Sequence, residues 1–512
     1  MNGNHQELPR PAGGPSVTLD QGVVSRRQPG IAIHYLRYSV STLVVLLAGV
    51  ISFPVLTRLL DNHQYGILGY FNTWMLVAVA IAKLGVQHAV VRFYPHDGDR
   101  KKLEHFSTNL VFVPLAMSLS VWALVAIALA GYQWVGGTTF SGVFWCVLLI
   151  IPVTVVGSVV QMVVRASERS RLVMVTKVFG KLAELALVLG LVILIQRSAL
   201  SVYGGRLAAG GILFAYFVYW MFRNLKFSRA AIDPPAIRAA LMYGLPLMAN
   251  EFAAMVLVAI DRVMLKGLTG EFAIVGIYTI GYSLASQINL FMNATLWEAF
   301  VPVANRLHAG EGDAGVRALK DRVLLPMTYA SFGVAAMLLA VGQDALVALS
   351  GPGKAASGAV FVVVGTTMAL YPLVDIAGYG LLLRLRSMRV FLITFGAAAF
   401  NIAANLVLIP MYGYMGAAWA TVASYVVLCI VNCLCCPRGL LRLPDLRTVG
   451  IAGGFALMLL VVVKTSDLFG IVGPWLRVLV ACVLFLLIYA LPVYLADPRL
   501  RAVLPKWRTA AA

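Results

Sequence analysis

The chain of 512 residues is 61% hydrophobic and 12% charged, too apolar for a water-soluble globule, whose apolar share is nearer a half. Its net charge of +19 is dispersed in small clusters between apolar runs, which argues against nucleic acid as a partner and reads as a topology signal. The composition is that of an all-α integral membrane protein.

Residues 1–30 are rich in Gly, Pro and Gln and have no apolar core, so a disordered cytoplasmic tail is expected there, with no cleavable signal peptide. A helix needs about 20 mainly apolar residues to cross the hydrocarbon. On that measure the chain predicts fourteen spans, near 36–57, 66–90, 107–130, 140–164, 173–195, 203–222, 239–260, 272–300, 323–345, 358–383, 390–408, 415–436, 448–468 and 476–495. With the N-terminus inside, 29 of the 40 Lys and Arg residues fall in cytoplasmic segments and 8 in outer turns. Lys and Arg are retained on the inner side, so both termini are placed in the cytoplasm. The six cysteines lie within or at the ends of apolar runs and imply no disulfide framework.

A repeat is also visible. TRLLDNHQYGILGY at Thr57–Tyr70 aligns with DRVMLKGLTGEFAIVGIYTIGY at Asp261–Tyr282, Arg58 on Arg262. A second pair aligns, with gaps, the stretch through Tyr203–Gly210 with LVLIPMYGYMGAAWA at Leu406–Ala420. The predicted organisation is two pseudo-symmetric six-helix lobes, 31–222 and 239–436, joined by a cytoplasmic linker at 223–238, with two extra helices and a basic tail in 437–512. Six spans return a chain to its starting side, so the lobes share one orientation.

An ionisable group within a span costs about 2.5–3.5 kcal/mol on the insertion scale and needs a reason. Lys177, Lys181 and Glu184 share one face of span 5, and Lys83 with Gln87 one turn on sits in the inner half of span 2. These cations either snorkel to the headgroups or line a positive cavity for an anionic headgroup. Glu251 lies in the middle of span 7 and Asp375 in span 10, between Tyr371 and Tyr379. With Glu184 they are the candidates for ion coupling or, alternatively, members of structural pairs. Asp261 and Arg262, at the outer end of span 7, read as a surface or interlobe ion pair. Asn289 and Asn293, with Ser286, form a polar stripe on span 8, and Asn401 and Asn405 another on span 11. Such amides bond sugar hydroxyls or join helices.

Several stretches carry a resemblance when taken in order: TRLL…YG at Thr57–Gly66, LG…VRF at Leu84–Phe93, YGLPLM at Tyr243–Met248, GIYTIGY after Asp261, and NLVLIPMYGYMGAAWAT at Asn405–Thr421. Together they resemble the Wzx-type polysaccharide flippases of the multidrug/oligosaccharidyl-lipid/polysaccharide exporter superfamily. The resemblance implies a two-lobed bundle around a cavity with alternating access, in the bacterial cytoplasmic membrane. The implied substrate is an undecaprenyl-diphosphate-linked oligosaccharide moved to the outer leaflet for exopolysaccharide, capsule or O-antigen synthesis. It further implies a secondary transporter without cofactor, working with membrane lipid and with polysaccharide polymerase and chain-length or export proteins. Basic residues in such a cavity point to Arg58, Lys83, Lys177, Lys181 and Arg262 for the anionic headgroup, and to Asn289 and Asn293 for sugar.

Four other readings stay open. A multidrug or cation antiporter of the same superfamily would want carboxylates where this chain has lysines, and a peptidoglycan-precursor flippase would share the architecture. A membrane polymerase would need a long external loop, and a biosynthetic scaffold would leave the buried charges without a purpose. The chain has no phosphate-cradling Walker sequence, nucleophile elbow or zinc-type His/Glu spacing.

Overall fold

The computed structural model describes residues 31–96, 99–384, 386–466 and 473–503, without the side chains of 31–36, 38, 39, 293–299, 466 and 503. Among the described residues the regular structure is entirely helical. The helices are α1 (Ile31–Leu59), α2 (Asn62–Ala82), α3 (Val86–Arg92), α4 (Arg100–Ser107), α5 (Val113–Trp134), α6 (Gly142–Ala166), α7 (Ser170–Leu194), α8 (Ala199–Asn224) and α9 (Pro234–Thr269). They continue as α10 (Phe272–Ser350), α11 (Ala355–Ala377), α12 (Ser387–Tyr412), α13 (Tyr414–Cys435), α14 (Leu446–Ser466), α15 (Pro474–Leu484), α16 (Leu491–Ala496) and α17 (Pro498–Val503).

Thirteen segments of these helices are long and apolar enough to cross a bilayer. At 25 residues, α7 has the same reach and differs in carrying Lys177, Lys181 and Glu184. With α7 the helices follow the expected array, except that the span expected at 66–90 is divided between α2 and α3. The faces they leave uncovered are apolar, with Leu124 68% and Ile127 69% exposed, a surface only lipid can cover without cost. Tight turns start on side-chain caps: Asp61 accepts from the Gln64 amide at 2.7 Å, and Ser141 from the Phe144 amide at 3.3 Å. Each satisfies one of the amides a helix start leaves without a partner.

Two boundaries differ from the sequence expectation. Spans 8 and 9 are the two halves of α10, which is broken at Gly312, with φ 67 and ψ −150. The linker expected at 223–238 is shorter, because α8 extends to Asn224 and α9 starts at Pro234. A proline in the first helical turn gives up an amide that would be unpaired anyway, so Pro234-Pro235 begins a helix instead of breaking one.

Packing runs α1 on α7, α7 on α8, α8 on α6 and α6 on α2, and separately α9 on α12, α12 on α13, α13 on α11 and α11 on α10. The two groups meet through α2 on α9 and α10, α1 on α10, and α3 on α9, while α14 and α15 lie against α10. One buried apolar cluster spans both groups in the half nearer the α1–α2 turn, from Phe53, Tyr65 and Tyr203 to Leu265, Tyr278 and Val364. Toward the opposite end the buried residues divide. Val90, Val111, Val160 and Trp220 belong to one cluster, which also takes in Ala240 of α9, and Phe300, Leu324, Ile376 and Leu440 to another. By the charge distribution, the shared cluster is on the outer side and the divided ones are on the inner side.

The outer crossing is a backbone contact. A Cβ on Gly66 would lie 1.8 Å from the Phe272 carbonyl oxygen, and one on Gly276 would lie 1.8 Å from that of Asn62. Only glycine at both positions lets α2 and α10 meet. Arg58 donates to the Ala348 and Leu349 carbonyls at 2.7 and 2.8 Å, and Lys354 to the Leu60 carbonyl and Asn62 Oδ1, both at 2.8 Å.

Candidate functional site

The inner contact between the groups is built on a break. α2 stops at Ala82, Leu84 and Gly85 take left-handed conformations with φ 52 and 70, and α3 restarts at Val86. Glycine adopts that conformation freely, whereas Leu84 pays about 1–2 kcal/mol for it. The break brings Gly85 against Gly244 of α9, where a Cβ on Gly85 would come within 2.2 Å of the Gly244 carbonyl oxygen.

Beside this contact the side chains converge on one carboxylate. Glu251 of α9 lies 3.5 Å from Lys83 Nζ, accepts from Gln87 Nε2 at 2.9 Å, and lies 3.6 Å from His88 Nε2. The Lys83 side chain is only 14% exposed, so it is held between the helix groups and does not snorkel. Two residues that the sequence assigns to separate roles, a headgroup cation and a coupling carboxylate, are thus partners across the interface. Arg92, at the end of α3, stacks on Tyr243 of α9 at 4.5 Å and adds a cation–π contact to the closure.

A second cluster lies within the first group. Lys181 and Glu184 of α7 pair at 3.1 Å, and Arg206 of α8 approaches the other Glu184 oxygen at 3.5 Å. Lys177 is half-buried on the same helix. Arg206 lies inside α8, opposite a carboxylate that makes its burial tolerable.

Asp261 corrects the sequence reading. It is wholly buried, not at a watery helix end, and its partners come from three other helices. Its Oδ2 accepts from Tyr278 at 2.5 Å and Thr421 at 3.0 Å, and its Oδ1 from Asn405 at 2.6 Å. Asn405 also donates to Asn401 at 3.0 Å, so the amide stripe on α12 joins helices. Arg262 is 9% exposed, covers the Tyr282 ring at 4.4 Å, and donates to the Val258 carbonyl at 3.1 Å.

The remaining candidates are scattered. Arg58 ties the outer ends of α1 and α10 and borders an 820 Å³ cleft that also includes Asp61, Lys354 and Trp475. Asp375 is partly buried one turn from Tyr371, whose ring meets Tyr425 edge-on at 5.1 Å. Asn289 is half-buried on α10, and the side chain of Asn293 lies outside the described residues. The five candidate cations therefore do not share one cluster. Lys83 sits at the group interface, Lys181 with Lys177 on α7, Arg262 among tyrosines, and Arg58 at the outer tie. His88 and Arg206 are additions, and their only sequence signal is a polar residue near a charged one in an apolar run.

Bilayer-length helices with ion pairs buried between and within two packed groups define a polytopic membrane protein. A family model described as polysaccharide biosynthesis protein matches residues 35–308, more than half of the chain, and the chain belongs to that family. No curated protein sequence matches it. Among solved structures, one titled lipid II flippase MurJ, inward closed conformation, is similar with a TM-score of 0.67 at 10% identity, over 90% of this chain and 98% of that one. An inward-facing multidrug resistance MATE family transporter of the MOP superfamily gives 0.62 at 13% identity, over 84% and 99%. The outward-facing form gives 0.55 at 13%, over 84% and 96%. The chain thus has a MurJ/MATE-like fold.

Proposed function

We propose that the chain is a flippase that carries an undecaprenyl-diphosphate-linked oligosaccharide from the inner to the outer leaflet of the bacterial cytoplasmic membrane by alternating access of two six-helix lobes. The observation that carries the reading is Lys83, an ammonium held at the interface of two helix groups, 14% exposed, with its counter-ion on the opposite group. A charge that deep is expensive unless it serves a ligand or a moving interface. An anionic diphosphate meets both conditions, because in a low-dielectric site its attraction to a cation far exceeds that in water. Family membership and a fold shared with a protein titled lipid II flippase support the same reading. With the cell interior negative, each negative charge moved outward releases about 2.3 kcal/mol per 100 mV, so the potential alone can drive export. Polysaccharide polymerase and chain-length or export proteins are the partners that would take the product.

Deletion of the gene followed by lipid analysis tests the reading. Accumulation of an undecaprenyl-linked repeat unit in the inner leaflet is expected. Normal lipid pools with altered polymer length would instead indicate polymerisation.

A further inference from the structure

We infer that Glu251 is a tethered stand-in for the substrate's phosphate: in the closed state it occupies an anion subsite made by Lys83, Gln87 and His88, and an incoming diphosphate displaces it and releases the inner contact. The inference rests on the flippase reading and adds how the substrate would open its own way in.

Four observations converge on it. First, the three donors come from one side of the interface, the α2–α3 break and the first turn of α3, and the single acceptor comes from the other. Second, that acceptor serves them poorly. Two of its three contacts, to Lys83 Nζ and His88 Nε2, are 3.5 and 3.6 Å, at or past the limit of a good hydrogen bond. A phosphate, with more oxygens and more charge, would satisfy the same donors better.

Third, the contact closed by this pair carries stored cost, since Leu84 is held at φ 52 beside the Gly85–Gly244 approach. Parting the lobes lets that segment relax. Fourth, the two sides of the molecule differ in what an anion could compete for. Outside, Arg58 and Lys354 bind main-chain carbonyls above an apolar cluster common to both groups. Inside, the two apolar clusters are distinct, the first taking in Ala240 and Tyr243 of α9, and the partner of the interface cation Lys83 is a carboxylate. Among these described cation ties, the inner one is bonded to a carboxylate, so an incoming anion has a like-charged acceptor to replace there.

The test uses the full chain in lipid nanodiscs, with its native cysteines replaced and spin labels at Arg171 and Arg306, exposed positions on the two groups. Farnesyl diphosphate is the probe and farnesol the uncharged control. In the otherwise native chain, the diphosphate is expected to shift the label distance to longer values and farnesol to leave it unchanged. Glu251→Gln is expected to show the longer distance with no ligand, and to need several-fold less farnesyl diphosphate for half-saturation because the competitor has gone. Lys83→Gln breaks the pair from the other lobe and is expected to lengthen the distance while losing the diphosphate response. Exchange of the two charges, Lys83→Glu with Glu251→Lys, should restore the short distance. A Glu251→Gln protein that keeps the short distance, or binds farnesyl diphosphate no more tightly, overturns the inference. Such a result, alongside inner-leaflet lipid accumulation in the deletion strain, would reject the stand-in role and leave the flippase reading intact.

Discussion

Asp261 and Lys83 are both charged groups removed from water, and their surroundings assign them different work. Around Asp261, three donors from α10, α12 and α13 close on one carboxylate. Asp261→Ala would remove the acceptor the three donors share and open a void among them, a buried polar loss of about 1–3 kcal/mol, so a lower melting temperature and poor yield are expected. Asp261→Asn keeps an acceptor and should lose less, and an alanine variant that melts with the parent would contradict the network's structural role. Lys83 has a looser partnership, so Lys83→Ala should abolish polymer export at unchanged protein level. Lys181→Ala should cost less, since Arg206 still faces Glu184 at 3.5 Å. Equal export in the parent and Lys83→Ala strains would remove the headgroup role.

At the scale of elements, the Gly66–Gly276 crossing sets how closely α2 and α10 approach. In Gly276→Ala a Cβ would meet the Asn62 carbonyl oxygen at 1.8 Å, main chain that cannot swing aside, so reduced thermal stability is expected. An unchanged melting curve would show that the crossing tolerates separation. The C-terminal helices have a clamp of their own. Asp497 is wholly buried, accepts from Tyr329 at 2.9 Å and pairs with Arg499, which also reaches Asp445 at 3.0 Å. Burial alone would raise the Asp497 pKa, but the bonds from Arg499 and Tyr329 outweigh it and hold the carboxyl below its usual value. A depressed folded pKa stabilises above the unfolded value of about 3.9 and is lost as pH falls through the folded one. Amide protection in α14 and α16 should therefore persist from neutrality to about pH 4 and fail below it. In Arg499→Ala the loss should move to higher pH, and a profile insensitive to Arg499 would contradict the clamp.

Helix positions were legible because an apolar run of bilayer length admits little else. The break at Leu84–Gly85 was not, since glycine within an apolar run is common and a leucine at positive φ leaves no residue signature. The site was half legible. Lys83, Glu251, Lys181 and Glu184 stand out as charges in spans, but the pairing of Lys83 with Glu251 joins residues 168 apart. The burial of Asp261 depends on Thr421, 160 residues away, and no local pattern records such neighbours.

For the molecule as a whole, one apolar cluster is common to both groups at one end and two lie at the other, and on the proposed function the first end holds while the second releases. Such a bundle suits a cargo that enters from the inner leaflet, with an anionic head seated near Lys83 and its lipid tail left in the bilayer. The most direct measurement is transport in proteoliposomes that hold the purified chain and a fluorescent polyprenyl-diphosphate oligosaccharide, read by a membrane-impermeant quencher. Label confined to one leaflet is expected to cross to the other when the intact chain is present, and to stay where it began with Lys83→Ala. Label that crosses no faster with the intact chain than in empty vesicles would contradict the flippase reading.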